Sequence, residues 1–308
     1  MDILLTALKG VAEETRLRIL LLLSHGELTV SELTQILSQS QPRVSRHLRL
    51  LVEAGLLSRF REGSWVFYRL VDDEKIRTLL HGIINLIPHE GAERMRDMKR
   101  LQDIRQERAA EASAYFAKNA GEWDTIRKLY VGEKRVEEAM LDMVSDRPIQ
   151  RFLDVGTGTG RILELFSDKI EDGLGIDLNL DMIAVARSNL SKLSKDTCVV
   201  RCGDMYDLPV ADQSRDLIVF HQVLHFADDP QKAIVEAARV LTAKGAILLV
   251  DFAPHTLEHL REDHAHRRLG FSDQEVANWA KQADLKVKKV TDLEGGALKI
   301  KIWLIVKN

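Results

Sequence analysis

Cysteine is almost missing from this chain: there are two in 308 residues, Cys198 and Cys202. Two thiols build no disulfide scaffold, so the fold must rest on its own core, and a reducing cytoplasm is the expected setting. Long apolar runs are missing too. The cleanest, residues 19–23, is core-helix sized and far short of the ~18 residues that span a bilayer, so no membrane partner is expected. The first residues show no basic segment followed by an apolar core, and no secretory signal is expected. Nor is positive charge in excess. With 44 Lys and Arg against 47 Asp and Glu the net charge is −3, which excludes a uniformly basic coat for nucleic acid but not a local patch. The chain is 45% hydrophobic and 30% charged, an ordinary globular balance. At roughly 150 residues per domain, its length makes two domains or one large one.

Three textures follow one another. Residues 1–87 are leucine-rich with helical spacing and end in a strand pair. Residues 88–148 are highly charged and lack strand signals. From residue 149 onward, short apolar runs alternate with amphipathic stretches, the pattern of βα units on a largely parallel sheet.

In the first zone, residues 13–24 form an apolar-rich helix stopped by His25-Gly26. Thr29-Val30-Ser31-Glu32-Leu33 opens the next helix with a hydroxyl cap before Leu33, Ile36 and Leu37. A polar turn, Ser38-Gln39-Ser40-Gln41-Pro42, leads into a helix that ends at Gly55. On that helix Val44, Leu48, Leu51 and Val52 make an apolar stripe, and Arg43, Arg46 and Arg49 span about 120° on the other side. A hairpin follows, Leu57-Ser58-Arg59-Phe60-Arg61 and Trp65-Val66-Phe67-Tyr68-Arg69, turned at Glu62-Gly63-Ser64. Residues 41–70 hold six arginines against two acids, so this patch is positive although the chain is not. Helix-turn-helix, basic face and basic hairpin in that order fit a helix laid in a DNA groove.

Ala12-Glu13-Glu14-Thr15-Arg16-Leu17-Arg18-Ile19-Leu20, Glu27-Leu28-Thr29-Val30-Ser31-Glu32-Leu33, Ser45-Arg46-His47-Leu48 and Glu53-Ala54-Gly55-Leu56 resemble the ArsR/SmtB winged-helix regulators. The resemblance covers residues 1–87. It implies a homodimer on a double-stranded operator, paired through the helices near residues 3–9 and 72–86. It also implies DNA contacts from Ser40, Gln41, Arg43, Ser45, Arg46, His47 and Arg49, with Arg59 and Arg61 on the wing. One departure matters. Thr29 and Ser31 stand where the metal-sensing members carry thiolates, and neutral hydroxyls are poor ligands for soft metals. No metal site is expected, and the signal must come from elsewhere in the chain.

The second half supplies a candidate. Gln150-Arg151-Phe152-Leu153-Asp154-Val155-Gly156-Thr157-Gly158-Thr159-Gly160 reads as a strand, a glycine turn and the start of a helix. A dinucleotide fingerprint would place glycine at position 161, where this chain has Arg161. Leu174-Gly175-Ile176-Asp177 is a second strand ending in an acid 17 residues past Gly160, suited to accept from both ribose hydroxyls. Each acid has a second reading: Asp177 as the cap of the helix after it, Asp204 as a turn residue.

These segments resemble, in order, the motifs of class I S-adenosylmethionine (SAM) methyltransferases over residues 112–308. The resemblance implies that SAM or S-adenosylhomocysteine is held by Asp154, Gly156, Thr157, Gly158, Gly160, Asp177, Leu178, Met182, Gly203, Asp204, Met205 and His221. His221, His225 and Asp251 are the candidate acceptor contacts or bases. Tyr115 and Trp123 resemble the aromatic entry segment of small-molecule methyltransferases, and an aromatic face suits a sulfonium cation. The histidines at 255, 259, 264 and 266 read as an active-site cover rather than a metal cluster. Cys198 and Cys202 read as ordinary semi-buried cysteines.

The fold class is thus an α/β multidomain chain: an N-terminal winged helix-turn-helix (1–87), a charged, solvated connector helix (88–111) and a Rossmann-like seven-stranded methyltransferase fold (112–308). The function it implies is a DNA-binding regulator whose second domain binds SAM or S-adenosylhomocysteine. The alternative is an active methyltransferase whose winged helix serves for dimerisation.

Overall fold

In the computed structural model, which describes residues 2–62, 64–71, 73–88, 90–119, 132–191, 193, 197–295 and 298–307, the chain divides into two units, Met1–Ala110 and Glu111–Asn308. No helix among the described residues is long and apolar enough to cross a membrane.

The first unit begins with α1 (Asp2–Val11) and α2 (Glu14–Leu23). The Glu13 side chain caps α2 by accepting from the Arg16 N–H at 2.9 Å. A two-residue strand, β1 (Leu28–Thr29), leads into α3 (Val30–Leu37). Thr29 and Glu32 form a reciprocal capping box there, satisfying two donors that the helix start would otherwise leave orphaned. Ser38 turns the chain in the left-handed region, φ 50°, and α4 (Gln41–Glu53) opens with Pro42 in its first turn. The wing is β2 (Leu57–Glu62) and β3 (Trp65–Leu70), antiparallel, with β1 on the far side of β3. Then come α5 (Glu74–Asn85) and the long α6 (Ala92–Asn119). One core gathers Ile19, Leu20, Leu33, Ile36, Val44, Leu48 and Leu51.

The charged run of α6 departs from expectation. It is no solvated connector: Leu101 and Ile104 join the first unit's core, and Asp97 is buried at 2% exposure. The helical wheel hides this because the contacts are made mostly by long polar side chains.

The second unit opens with α7 (Glu133–Met143) and builds one seven-stranded sheet. Strands β4 (Arg151–Val155), β5 (Asp172–Asp177), β6 (Cys198–Cys202), β7 (Arg215–His221) and β8 (Leu241–Phe252) run parallel in the order β6-β5-β4-β7-β8. β9 (Leu285–Gly295) and β10 (Leu298–Lys307) close that edge as a hairpin, with β10 antiparallel to β8. Successive residues of the central strands go to opposite faces. Phe152, Val219 and Leu248 pack with α7, α8 (Arg161–Phe166) and α9 (Leu180–Leu190). Leu153, Ile218 and Ile247 pack with α10 (Pro230–Val240) and α12 (Asp273–Gln282). Both faces are covered, which is why these strands read as continuous apolar runs.

β8 starts at Leu241, directly after α10. Its register against β7 slips between Arg215 and Leu217, so the extra residues are taken up as a bulge. The strand order reverses between β4 and β7, and ligands of such sheets bind at the carboxyl ends of the strands flanking that point.

Candidate functional sites

In the first unit α4 buries Val44, Leu48 and Leu51 completely and leaves Arg43, Arg46 and Arg49 exposed on its outer side. Ser40 and Gln41 are exposed at its N-terminus, and Ser45 is half-buried. Arg43 and Arg46 have no carboxylate partner among the described residues. Arg49 lies 3.7 Å from Glu53, an exposed pair of small worth. Arg59 and Arg61 stand exposed on β2, whereas Arg69 turns back to Glu27 at 3.3 Å and lies over the Phe60 ring.

His47 departs from the predicted reading face. Its side chain is 13% exposed and its Nδ1 lies 3.4 Å from the Glu13 carboxylate. Burial pushes its pKa below the ordinary value although Glu13 pulls the other way. The cause is its place beside the N-terminus of α2, which no local pattern in the sequence reveals.

In the second unit the turn after β4 is held from below. Gly156 N–H and Thr157 N–H both donate to Ile176 O, at 2.8 and 3.0 Å, and Thr157 Oγ1 donates to Asp154 at 2.7 Å. Asp154 is buried at 1%, so it fastens the turn rather than facing out of it. Gly156 has φ +71°, and a Cβ on it would sit 2.3 Å from Val223 Cγ2, so only glycine fits.

Asp177, at the end of β5, is half-buried. Its Oδ2 accepts from Gly158 N–H and its Oδ1 from Asn179 N–H, both at 2.9 Å. Burial raises its pKa, opposed by the N–H groups of Asn179, Gly158 and Leu178. The capping of α9 falls to Asn179, which accepts from Asp181 and Met182 N–H. Asp177 is not the cap of α9. Asp204 takes the turn role instead, accepting from Tyr206 N–H at 2.9 Å, and it is exposed. Leu178 is 63% exposed beside Asp177, Gly203 and Met205 are half-buried, and Met182 is buried within α9.

The sequence does not foretell the partner of Arg161. Its guanidinium pairs both Glu137 oxygens of α7 at 2.7 Å, across 24 residues, and reaches Glu164 at 2.9 Å. Glu137 is itself buried.

At the carboxyl ends of β7 and β8, His225 and Asp251 are buried together. His225 Nδ1 lies 2.7 Å from Asp251 Oδ1, and Asp251 also accepts from the N–H groups of Phe252 at 2.8 Å and His225 at 3.3 Å. A carboxylate oxygen accepts, so His225 Nδ1 is the donor of this contact and Nε2 is the ring nitrogen turned away from it. The His225 ring is flanked by Phe226 and His266, each 4.1 Å away between centroids, and by Phe252 at 5.1 Å. His221 ends β7 and is 9% exposed. Of the other histidines, His259 is exposed at the start of α11 (His259–His264), His255 and His264 are half-buried and His266 is buried. Burial is the main cause that pushes His255 down to about 4 and His266 lower still.

Cys198 is half-buried and Cys202 exposed, both as free thiols. Trp123 lies outside the described residues, as does the side chain of Tyr115.

Comparison with known proteins agrees with both units. Residues 13–59 match the bacterial regulatory protein, arsR family, and residues 153–249 match a methyltransferase domain. The arsenical resistance operon repressor of Escherichia coli (strain K12) is 59% identical over 63 residues, 20% of this chain and 54% of that protein. The methyltransferase YcgJ of Bacillus subtilis (strain 168) is 32% identical over 145 residues, 45% of this chain and 54% of that protein. The chain thus spans about half the length of these curated relatives. A solved structure of a putative sarcosine dimethylglycine methyltransferase from Galdieria sulphuraria shares the fold at TM-score 0.50 and 16% identity, covering 57% of this chain and 87% of that one.

Proposed function

From a chain that joins an ArsR-type DNA-binding domain to a methyltransferase domain, we propose a transcriptional regulator that reads an operator as a homodimer and binds SAM or S-adenosylhomocysteine in its second unit. The observation that carries the ligand half is Asp177. Its Oδ2 accepts from Gly158 N–H and its Oδ1 from Asn179 N–H, which fixes the carboxylate at the end of β5 in a place that suits the hydroxyls of a ribose. The turn at residues 156–160, closed by Val223 and free of any Cβ at Gly156, gives a flat backbone surface for close approach. Exposed Leu178 and half-buried Met205 offer apolar contact to an adenine ring, and Asp204 an acceptor for its amino group. Arg161, which stands where a dinucleotide fingerprint would have glycine, is paired with Glu137 and Glu164. These residues fit SAM.

The DNA half rests on Arg43, Arg46, Arg59 and Arg61, exposed around a buried apolar stripe. Leu4, Leu5 and Leu8 of α1, at 41–46% exposure, and Leu86 after α5, at 83%, supply apolar surface for the pairing of two copies. The cytoplasm, where the chromosome lies, is the matching compartment. Thr29 caps α3 and is unfit as a thiolate substitute, so the second unit is the natural source of the signal. Such a switch needs the ligand to bind the DNA-competent and incompetent states differently, by ~1–3 kcal/mol.

The buried His225–Asp251 pair favours a second reading, an active methyltransferase. When bound, SAM supplies an electrophilic methyl group. Asp251 would hold the His225 ring so that Nε2 takes a proton from an acceptor, with His221 as a further contact. One set of measurements tests both readings: affinity for a duplex selected by the intact chain, with and without S-adenosylhomocysteine, beside release of S-adenosylhomocysteine from SAM. DNA affinity indifferent to the ligand would end the sensor reading. Turnover would establish the enzyme.

A further inference from the structure

α6 spends its first half gripping the DNA-reading head. Asp97, buried at 2%, accepts from Arg18 Nε and Nη2 of α2 at 2.7 and 2.8 Å. A buried carboxylate is costly unless fully paired, and a planar guanidinium in two-point contact fixes its angle as well as its distance. Arg100 Nη1 donates to Ile36 O at 2.9 Å, in the last turn of α3, where carbonyls lack helical partners and a cation opposes the helix dipole. Arg105 donates to His25 O in the turn before β1. Arg108 pairs with Glu32, whose other oxygen accepts Thr29 N–H at 2.7 Å in the α3 capping box. Leu101 and Ile104 fill the space between these polar ties.

α3 is therefore held at both ends by one helix, through Glu32 and Ile36. α3 in turn packs against α4, sharing a core with Val44 and Leu48.

We propose that α6 is a clasp on the reading head: Arg100 and Arg108 are positioning residues that set α3, and through it α4, for DNA. The clasp rests on the DNA half of the reading above and not on the sensor half.

The test uses the full chain and a duplex selected from a randomised pool by the wild type. Arg100→Ala with Arg108→Ala should weaken binding about five-fold or more. The dependence of log K on log salt should keep its slope, because neither residue meets a phosphate. Hydrogen exchange should quicken in residues 30–37 and stay unchanged in residues 151–155 and 215–221. Arg108→Lys should restore affinity. Wild-type affinity together with intact protection of α3 in the double variant overturns the clasp. So does a general loss of protection across residues 2–85, the mark of a merely structural role. A wild type that selects no duplex overturns the DNA reading, while hydrogen exchange in residues 30–37 still decides the clasp.

Discussion

Asp177 and the arginines of α4 show how much one side chain decides. Asp177→Ala should abolish binding of S-adenosylhomocysteine while leaving the melting temperature of the free protein close to wild type; wild-type affinity in titration calorimetry would remove the ribose role. Burial holds the folded Asp177 pKa above the ordinary value of about 3.9, and the charged form is the one that accepts from both hydroxyls. Ligand affinity should therefore begin to fall on acidification at a higher pH than an ordinary aspartate would dictate. Asp177→Asn should flatten that limb. Arg43→Ala and Arg46→Ala should each weaken DNA binding across sequences. Each should also lower the log K against log salt slope by about 0.9 if it meets one phosphate. Unchanged slopes in both would remove α4 from the groove. His47→Ala should act differently, by loosening the contact with Glu13 at the start of α2, and should leave the slope alone.

At the scale of elements, a hydroxyl cap for α3 was legible in Thr29-Val30-Ser31, and the structure gives that role to Thr29, with Glu32 completing a capping box. Thr29→Ala should cost about 1 kcal/mol, read as a lower melting temperature of the first unit. The histidine cluster was only half legible. His225 and Asp251 were singled out separately, yet their 2.7 Å contact depends on neighbouring parallel strands bringing residues 26 apart together. His255 has a folded pKa of about 4, against about 6.5 when unfolded. Between those values the unfolded chain binds more protons, so stability should fall as pH drops from about 6.5 to 4. His255→Phe should flatten the dependence of unfolding on pH in that window. An unchanged acid limb would show that the ring is not desolvated as its packing implies.

For the whole molecule, the two units have separate apolar cores, so each should melt as its own cooperative block. S-adenosylhomocysteine at 100 times its Kd should stabilise the second unit by about 2.7 kcal/mol, and scanning calorimetry should show one transition moving by that amount. If both transitions move together, the units are coupled by more than the sensor reading needs. If neither moves, the second unit does not bind this ligand. The −3 net charge carries none of this, because it averages an arginine-rich reading face with a more acidic remainder.

Local chemistry wrote the helix caps, the glycine turn, the wing and the alternation of strand and helix into the sequence, since each depends on residues a few positions apart. The division into a DNA reader and a methyltransferase fold followed from the order of those signals. Tertiary structure alone decided what distant residues do to one another. It turned His47 to Glu13, matched Arg161 to Glu137, buried His225 with Asp251 and His266, and laid a charged helix against the reading head through Asp97, Arg100 and Arg108. The physical reason is the same in each case. A polar side chain shows its chemistry in the sequence, but whether it is solvated or desolvated and paired depends on packing that no local pattern encodes.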